Sequence, residues 1–320
     1  MILSVVVPSM NKVDLLRQTL EALSQQDAGP GRNWEIVVVN DGSTDGTANY
    51  LEILNGKGSN PLVRAVSPDC NVGRAKARNL GARSAAGQYL LFMDDDIVAP
   101  PGLLKAHLDL LENNPGSGTI GYAVTAPEVV DGPHFAYLDS RGVAKLGAGF
   151  APGRFFVTQN AAVQRDSFLS IGGFDEDFSS YGFEDMEVAF RLEDAVGVNF
   201  LALVHPVPFH VHHHTLQEYL EKKVECGRYS LPHLALLHPH RIPEMKLHHV
   251  VDYEGQVGVG RLSKFVRLVA KTPLAGLLKS LLAHWPTSSG QKPVFSSLYF
   301  RLMDLMVLVC FRQGVMEGDS

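Results

Sequence analysis

An α/β fold built on a mainly parallel, mixed sheet flanked by helices is what this 320-residue sequence predicts, and three observations predict it. Short apolar, β-branched runs alternate with segments of helical periodicity through the first hundred residues. The runs are apolar almost throughout, as strands covered on both faces are. Each run also exits into polar residues, and open parallel sheets bind ligands at the carboxyl ends of their strands.

In order, strands are expected at residues 2–8, 35–40, 62–66 and 89–93, with helices between them at 14–26, 45–54 and 74–86. Residues 116–125 read as a further strand, and 130–154, rich in Gly and Pro, as a loop or small subdomain. A helix is expected at 184–196 and a strand at 199–205. From 216 the pattern turns helical, at 216–229, at 262–284 with Pro273 breaking it, and at 298–311. The pattern changes character near residue 100 and again near 229, so residues 1–229 read as the mixed α/β part, in two halves near 1–100 and 101–229, and 230–320 as a mostly helical C-terminal extension.

Composition removes several classes. With 45% hydrophobic and 19% charged residues the chain can bury a core. Its 28 basic and 34 acidic side chains leave a net charge of −6, which argues against nucleic acid as a partner. Cys70, Cys226 and Cys310 are widely spaced with no CxxC pair, which fits a reducing compartment. The first residues read as a strand and not as a leader, and the apolar stretch 294–315 carries Arg301, Asp304 and Arg312. A cytoplasmic protein is expected, either free or peripheral at the inner face of a membrane.

Chemistry concentrates at the strand exits. Asp94-Asp95-Asp96 follows Tyr89-Leu-Leu-Phe-Met. Three adjacent carboxylates repel one another unless a cation or donors compensate them. If the backbone stays extended, Asp94 and Asp96 point the same way and share a ligand. Such oxygen ligands suit Mg2+ or Mn2+ on a diphosphate, and the alternative is a solvated acidic turn. At the second exit, Asn40-Asp41-Gly42-Ser43-Thr44-Asp45, Asp45 or Ser43 is a helix cap, and Asp41 stands at the strand tip.

Together these segments resemble the family 2 glycosyltransferases, which have the GT-A (nucleotide-diphospho-sugar transferase) fold. The matching residues are Val5-Val-Val-Pro8 with Asn11, Val39-Asn-Asp41-Gly-Ser-Thr-Asp45, Asn71-Val-Gly73 with Ala77-Arg-Asn79-Leu-Gly81, Ala86-Gly87-Gln88-Tyr89, Asp94-Asp95-Asp96, and Gly172-Gly-Phe-Asp175-Glu176 with Glu184-Asp185. They keep the family's order over roughly residues 1–215.

The resemblance implies roles. Pro8 and Asn11 would line a nucleotide pocket and Asp41 would contact base or ribose, while Met10 stands where the family commonly has an aromatic ring. Gly73 and Arg78 would lie on the nucleotide side, although Arg78 equally reads as a buried structural arginine. Asp94 and Asp96 would be the metal-binding DxD pair, with Asp95 facing the ribose or donor sugar. Asn160 belongs to a segment beneath the donor. Gly173 and Asp175 shape the junction of donor and acceptor, where Asp175 would hold the loop or touch a sugar hydroxyl, and a purely structural turn is the competing reading of Asp175. Asp185 would be the general base of an inverting displacement, with Glu184 beside it; adjacent carboxylates are not separable by physics alone, and acids also suit a helix N-terminus.

Ten of the thirteen histidines fall between 205 and 249. In His210-Val-His-His-His214 either His210 or His212 would complete the metal site, as a histidine often does in the related fold. Between 241 and 285 seven basic side chains face three acids, Glu244, Asp252 and Glu254, with Lys264, Arg267 and Lys271 at helical spacing beside apolar residues. That helix lies either on an anionic membrane or against the catalytic domain or a second subunit of a homodimer. Gly255-Gln-Val-Gly258 lacks the glycine order and βαβ context of a dinucleotide loop.

The sequence thus predicts a metal-dependent inverting glycosyltransferase using Mn2+ or Mg2+, a nucleotide-diphospho-sugar donor (UDP-sugar foremost) and a hydroxyl acceptor on a glycan, lipid-linked saccharide or other molecule. The alternatives are a catalytically silent sugar-nucleotide-binding or scaffold protein and a sugar-phosphate nucleotidyltransferase on a related fold.

Overall fold

A computed structural model describes residues 1–55, 61–212, 214–251 and 260–318. His213, Asp252, Glu254 and the glycine segment 255–258 lie outside the described residues. The chain runs β1 (Leu3–Ser9), α1 (Val13–Ser24), β2 (Trp34–Asn40), α2 (Thr47–Asn55), β3 (Leu62–Val66), α3 (Arg74–Ser84), β4 (Tyr89–Phe92), β5 (Ile97–Val98) and α4 (Leu103–Asn113). It continues through β6 (Ser117–Ile120), β7 (Val124–Thr125), α5 (His134–Asp139), β8 (Gly149–Phe150), β9 (Ala161–Gln164), α6 (Arg165–Ser170), α7 (Glu184–Arg191), β10 (Asn199–Ala202) and β11 (Phe209–His210). Five helices complete it: α8 (Leu216–Arg228), α9 (Ser230–Leu237), α10 (Arg261–Ala270), α11 (Leu274–Ala283) and α12 (Ser296–Gly318).

Two compact units divide the chain. The first comprises Met1–Val129, Ser140–Glu176 and Val188–His212, and the second Val130–Asp139, Asp177–Glu187 and His213–Ser320. The first unit holds an eight-stranded sheet in the order β3-β2-β1-β4-β9-β6-β10-β8. Strands β1 to β4 pair in parallel, and β9 runs antiparallel between β4 and β6. Alternation of side chains sends Val5 and Val7 into one apolar layer, with Leu16, Leu20, Leu104 and Leu108, and Val6 into the other, with Phe92, Phe168 and Phe174. Both faces are therefore covered, as the unbroken apolar runs predict. Because the chain passes from β1 to β2 and β3 on one side and then to β4 on the other, the sheet has its switch point between the carboxyl ends of β1 and β4.

Some expectations shift. The strand expected over 116–125 is two, because β6 stays in the main sheet while β7 pairs with β11 in a small second sheet of order β5-β11-β7. Residues 130–154 contain α5 and β8, and β9 carries no strong sequence signal.

The second unit is helical. Thr215 and Glu218 form a reciprocal capping box at the start of α8. Helix α8, placed with the catalytic domain on sequence grounds, packs in this unit along α12. Tyr137 of α5 donates its hydroxyl to Asp304 of α12 at 2.8 Å. Pro273 separates α10 from α11, and both pack on α12. No described helix is long and apolar enough to cross a membrane.

Candidate active site

The exit of β1 is tied to the exit of β2 before any ligand is considered. Asn11 takes the left-handed conformation, φ 54°, which Asn tolerates better than most residues. Its backbone N–H donates to Ser43 Oγ at 3.0 Å, and its side-chain oxygen accepts from the Thr44 N–H at 2.7 Å. Asp45 caps two helices at once, accepting from the Val13 N–H at 2.8 Å and from the Thr47 N–H at 3.2 Å, and it also accepts the Thr47 hydroxyl at 2.6 Å. The Thr47 hydrogen bond, opposed by burial and aided by Val13, holds its carboxyl below the usual range. Pro8 sits one residue before the end of β1, in register with Val39.

Asp41 is buried at the tip of β2 and its carboxylate is engaged. One oxygen accepts the Val72 N–H at 2.7 Å; the other accepts the Gly73 N–H at 3.1 Å and the Asn71 amide at 3.2 Å. Asp41 thereby fixes the loop that starts α3 at Gly73. On that helix Arg78 is buried and donates to Asp94 Oδ1 at 2.8 Å, while its guanidinium lies 5.9 Å from the Phe174 ring.

The three aspartates do not alternate as an extended strand would. β4 ends at Phe92, and Asp95 and Asp96 lie in a turn. Asp94 faces Arg78, whereas Asp95 and Asp96, both buried, share one cation: Lys12 Nζ stands 3.0 Å from Asp95 Oδ1 and 2.8 Å from Asp96 Oδ2. The Asp95 carbonyl accepts the Thr19 hydroxyl at 2.9 Å, which locks the turn to α1. Burial opposes the Lys12 charge, yet Asp96 and Asp95 outweigh it and raise its pKa. Burial lifts Asp95 to about 6, with Lys12 opposing and Asp96 adding. Burial also works to raise Asp96, but His210 and Lys12 override it and hold that carboxyl far below the ordinary range.

His210 arrives by strand register. β11 pairs antiparallel to β5, His210 opposite Ile97, and the Val211 N–H donates to the Asp96 carbonyl at 3.0 Å. His210 Nε2 lies 3.3 Å from Asp96 Oδ1 without the alignment of a hydrogen bond, and no donor among the described residues bonds that buried oxygen. A buried carboxylate oxygen left without a donor and an imidazole nitrogen facing it are ligand atoms that fit a divalent cation, and the Lys12 ammonium on the other oxygen shows that positive charge is accepted there. His212 is half-buried, its ring centroid 6.3 Å from that of His210.

The Gly172-Gly173-Phe174 turn is clamped from two sides. Asn79 donates to the Phe174 carbonyl at 2.9 Å and to Glu176 at 3.0 Å, and accepts the Phe174 N–H at 2.8 Å. Arg191 donates to the carbonyls of Ile171 and Gly173, both at 2.7 Å. Gly173 has φ 78°, and a Cβ there would meet Asn79 Oδ1 at 2.4 Å, so only glycine fits. Asp175 follows, half-buried. Asn160 points inward: fully buried, it meets His107 Nε2 at 2.7 Å and donates to the Tyr122 carbonyl at 3.3 Å, so its side chain braces the sheet.

Glu184 and Asp185 open α7 within the second unit. Before them Phe183 has φ 72°, a strained conformation for a bulky residue. The unit holds that turn firmly: the Tyr181 carbonyl accepts the Cys226 thiol and the Ser230 hydroxyl, both at 3.0 Å, and the Tyr181 N–H donates to Glu225 at 3.2 Å. Burial pushes the Cys226 thiol up to about 11, so it is a packing group and not a nucleophile. One turn on, Glu187 is buried 3.2 Å from His238 Nε2.

Sequence reasoning missed Lys12, Asn79 as a clamp, and the Cys226–Ser230 anchor. Lys12 carried a signal, a cation three residues beyond one strand exit in a fold that brings it to Asp95 and Asp96 at another. The clamps carried none, since their partners lie far away in the chain.

The family model described as "Glycosyl transferase family 2" matches residues 4–172. A validoxylamine A glucosyltransferase of Streptomyces hygroscopicus subsp. limoneus is 31% identical over 222 residues, 60% of this chain and 48% of that protein. The Escherichia coli chondroitin synthase is 26% identical over 228 residues, covering 59% of this chain and 32% of that protein. The chain spans about half the length of the first curated relatives it matches. Among solved structures, the mannosyltransferase PcManGT of Pyrobaculum calidifontis, in complex with GDP-Man and Mn2+, is similar at a TM-score of 0.64 and 18% identity, over 97% of this chain and 86% of that one. S. aureus TarS 1-349 in complex with UDP is similar at 0.57 and 16%, over 100% and 91%. At these identities the likeness is one of fold.

Proposed function

The chain belongs to glycosyl transferase family 2 and has the GT-A fold, and from that premise we propose that it is a metal-dependent, inverting glycosyltransferase. It moves a sugar from a nucleotide-diphosphate donor, UDP-sugar foremost, to a hydroxyl of a glycan, lipid-linked or other acceptor. The observation that carries this reading is Asp96: a buried carboxylate at the switch point of the sheet, one oxygen on Lys12, the other facing His210 with no donor among the described residues. Fold neighbours complexed with GDP-Man and Mn2+ or with UDP support the donor class.

Asp96 and His210 would hold the ion, with Asp94 or His212 as further ligands, and Mn2+ suits an imidazole–carboxylate pair better than Mg2+ does. Bound there, the ion would neutralise charge that develops on the departing diphosphate. Lys12, paired with both Asp95 and Asp96, would compete with the ion for these carboxylates. Asp41 acts through the 71–73 loop, whose Gly73 N–H opens α3. Pro8 and Asn11 shape the nucleotide side, Arg78 orients Asp94, Asp95 faces the ribose or donor sugar, and Asn160 supports the floor. Gly173 and Asp175 form the turn at the acceptor side.

Asp185 takes the acceptor proton as general base, with Glu184 beside it. The strained Phe183 and the anchored Tyr181 backbone hold the start of α7 in place, which suits a general base that must meet its proton within hydrogen-bond reach. The test is sugar transfer by Asp185→Asn, followed by product release from a UDP-sugar panel with Mn2+. Transfer should fall by about a hundredfold or more while donor binding is kept. Transfer at the wild-type rate by Asp185→Asn, with loss in Glu184→Gln, would move the base to Glu184.

A further inference from the structure

Helices α10 and α11 are apolar over more of their circumference than they bury, where an ordinary surface helix keeps its apolar stripe covered. In α10, Val266, Val269 and Ala270 are buried, while Leu262, Phe265 and Leu268 are exposed at three-residue spacing. In α11, Ala275 and Leu282 are buried, while Leu274, Leu277 and Leu281 are exposed, Leu277 by 65%. Both helices pack on α12 and on each other, and these side chains stay exposed despite that packing. The segment after α11 adds Phe295, 78% exposed in a left-handed conformation, next to Leu298 at the start of α12. Scattered exposed leucines need no explanation, but this many large apolar side chains within forty residues do.

Charge selects the occupant. From 261 to 303 there are seven lysines and arginines and no aspartate or glutamate, in a chain whose net charge is −6. Arg261, Lys264 and Lys271 are exposed beside the apolar stripes. A symmetric pairing of two copies through this face would set these cations against their own images with no carboxylate between them. We propose that the α10–α11 face is a docking surface for an anionic lipid bilayer. Its leucines and Phe265 enter the boundary between headgroups and acyl chains, and its lysines and arginines meet lipid phosphates. The surface holds the protein on a membrane without spanning it, and it does so whether or not the chain transfers sugar.

The experiment is co-sedimentation of the full chain with vesicles of phosphatidylcholine alone and of phosphatidylcholine with phosphatidylglycerol, at low and high salt. The chain should bind the anionic vesicles, at least tenfold more weakly in high salt or on pure phosphatidylcholine. Leu277→Glu/Leu281→Glu should weaken binding about tenfold or more, and Lys264→Glu/Lys271→Glu should do so on anionic vesicles only. All four positions are exposed, and an unchanged melting temperature verifies that each variant is folded. No binding to either vesicle overturns the proposal, as does binding that the folded variants leave unchanged. A lipid-free dimer seen by analytical ultracentrifugation and dissociated by Leu277→Glu/Leu281→Glu overturns it in favour of a second copy.

Discussion

At the switch point of the large sheet, charge is answered locally: Lys12 serves Asp95 and Asp96, Arg78 serves Asp94, and the amides of 71–73 serve Asp41. On α10 and α11 the opposite holds, and six large apolar side chains face outward. The cost of leaving a group unmatched explains the contrast. A buried carboxylate without a partner costs several kcal/mol, so the fold supplies partners even where a ligand is to replace them. Exposed apolar surface costs the folded state little relative to the unfolded one, since both meet water. The proposed ion site would thus be marked by an internal partner that the ion replaces, and the proposed lipid surface by the absence of one among the described residues.

The sharpest break of this comparison is Asp96→Ala, expected to lower transfer by about 10²–10³-fold and to abolish Mn2+-dependent nucleotide binding. If the variant keeps both, the Lys12 pairing is only structural. Next is His107, fully buried beneath the same sheet between Thr119 and Asn160. Burial pushes its pKa from 6.5 down to about 4, the Asn160 hydrogen bond opposing, so the unfolded chain takes up a proton that the folded one refuses in that window. Stability from this group is complete above pH 6.5 and is lost as the pH falls toward 4, at up to about 1.4 kcal/mol per unit. His107→Gln should flatten the acid limb of urea-melt stability against pH by that amount; an unchanged slope would show the imidazole titrating freely.

Lys12→Met should have a smaller effect, destabilising the ligand-free protein by about 1–2 kcal/mol, because the ammonium is partly exposed. Electron paramagnetic resonance should show Mn2+ binding more tightly to the variant than to the wild type when no nucleotide is present. Smallest is Leu277→Glu/Leu281→Glu, expected to change thermal stability by less than about 0.5 kcal/mol. A larger loss would mean that the outward stripe is packed after all.

Much of this was legible in the sequence, for reasons that differ by region. β1 to β4 and their helices stand out because strands covered on both faces are apolar throughout, and Pro273 marks the α10–α11 break. β9 was invisible because Ala161-Ala-Val-Gln is too short and too bland to signal a strand, and only β4 and β6 on either side make it one. In the site, residue types were readable but not their pairings. The two-residue alternation that groups Asp94 with Asp96 fails because the strand ends at Phe92. The clamp of Asn79 on Phe174 spans 95 residues, and no local pattern records it.

The most direct test of the central claim is calorimetric titration of UDP and GDP into the wild type and Asp96→Ala, each with and without Mn2+. Nucleotide binding that requires Mn2+ in the wild type and disappears in Asp96→Ala is the predicted result. Equal binding with and without the ion, unchanged by the substitution, would contradict it.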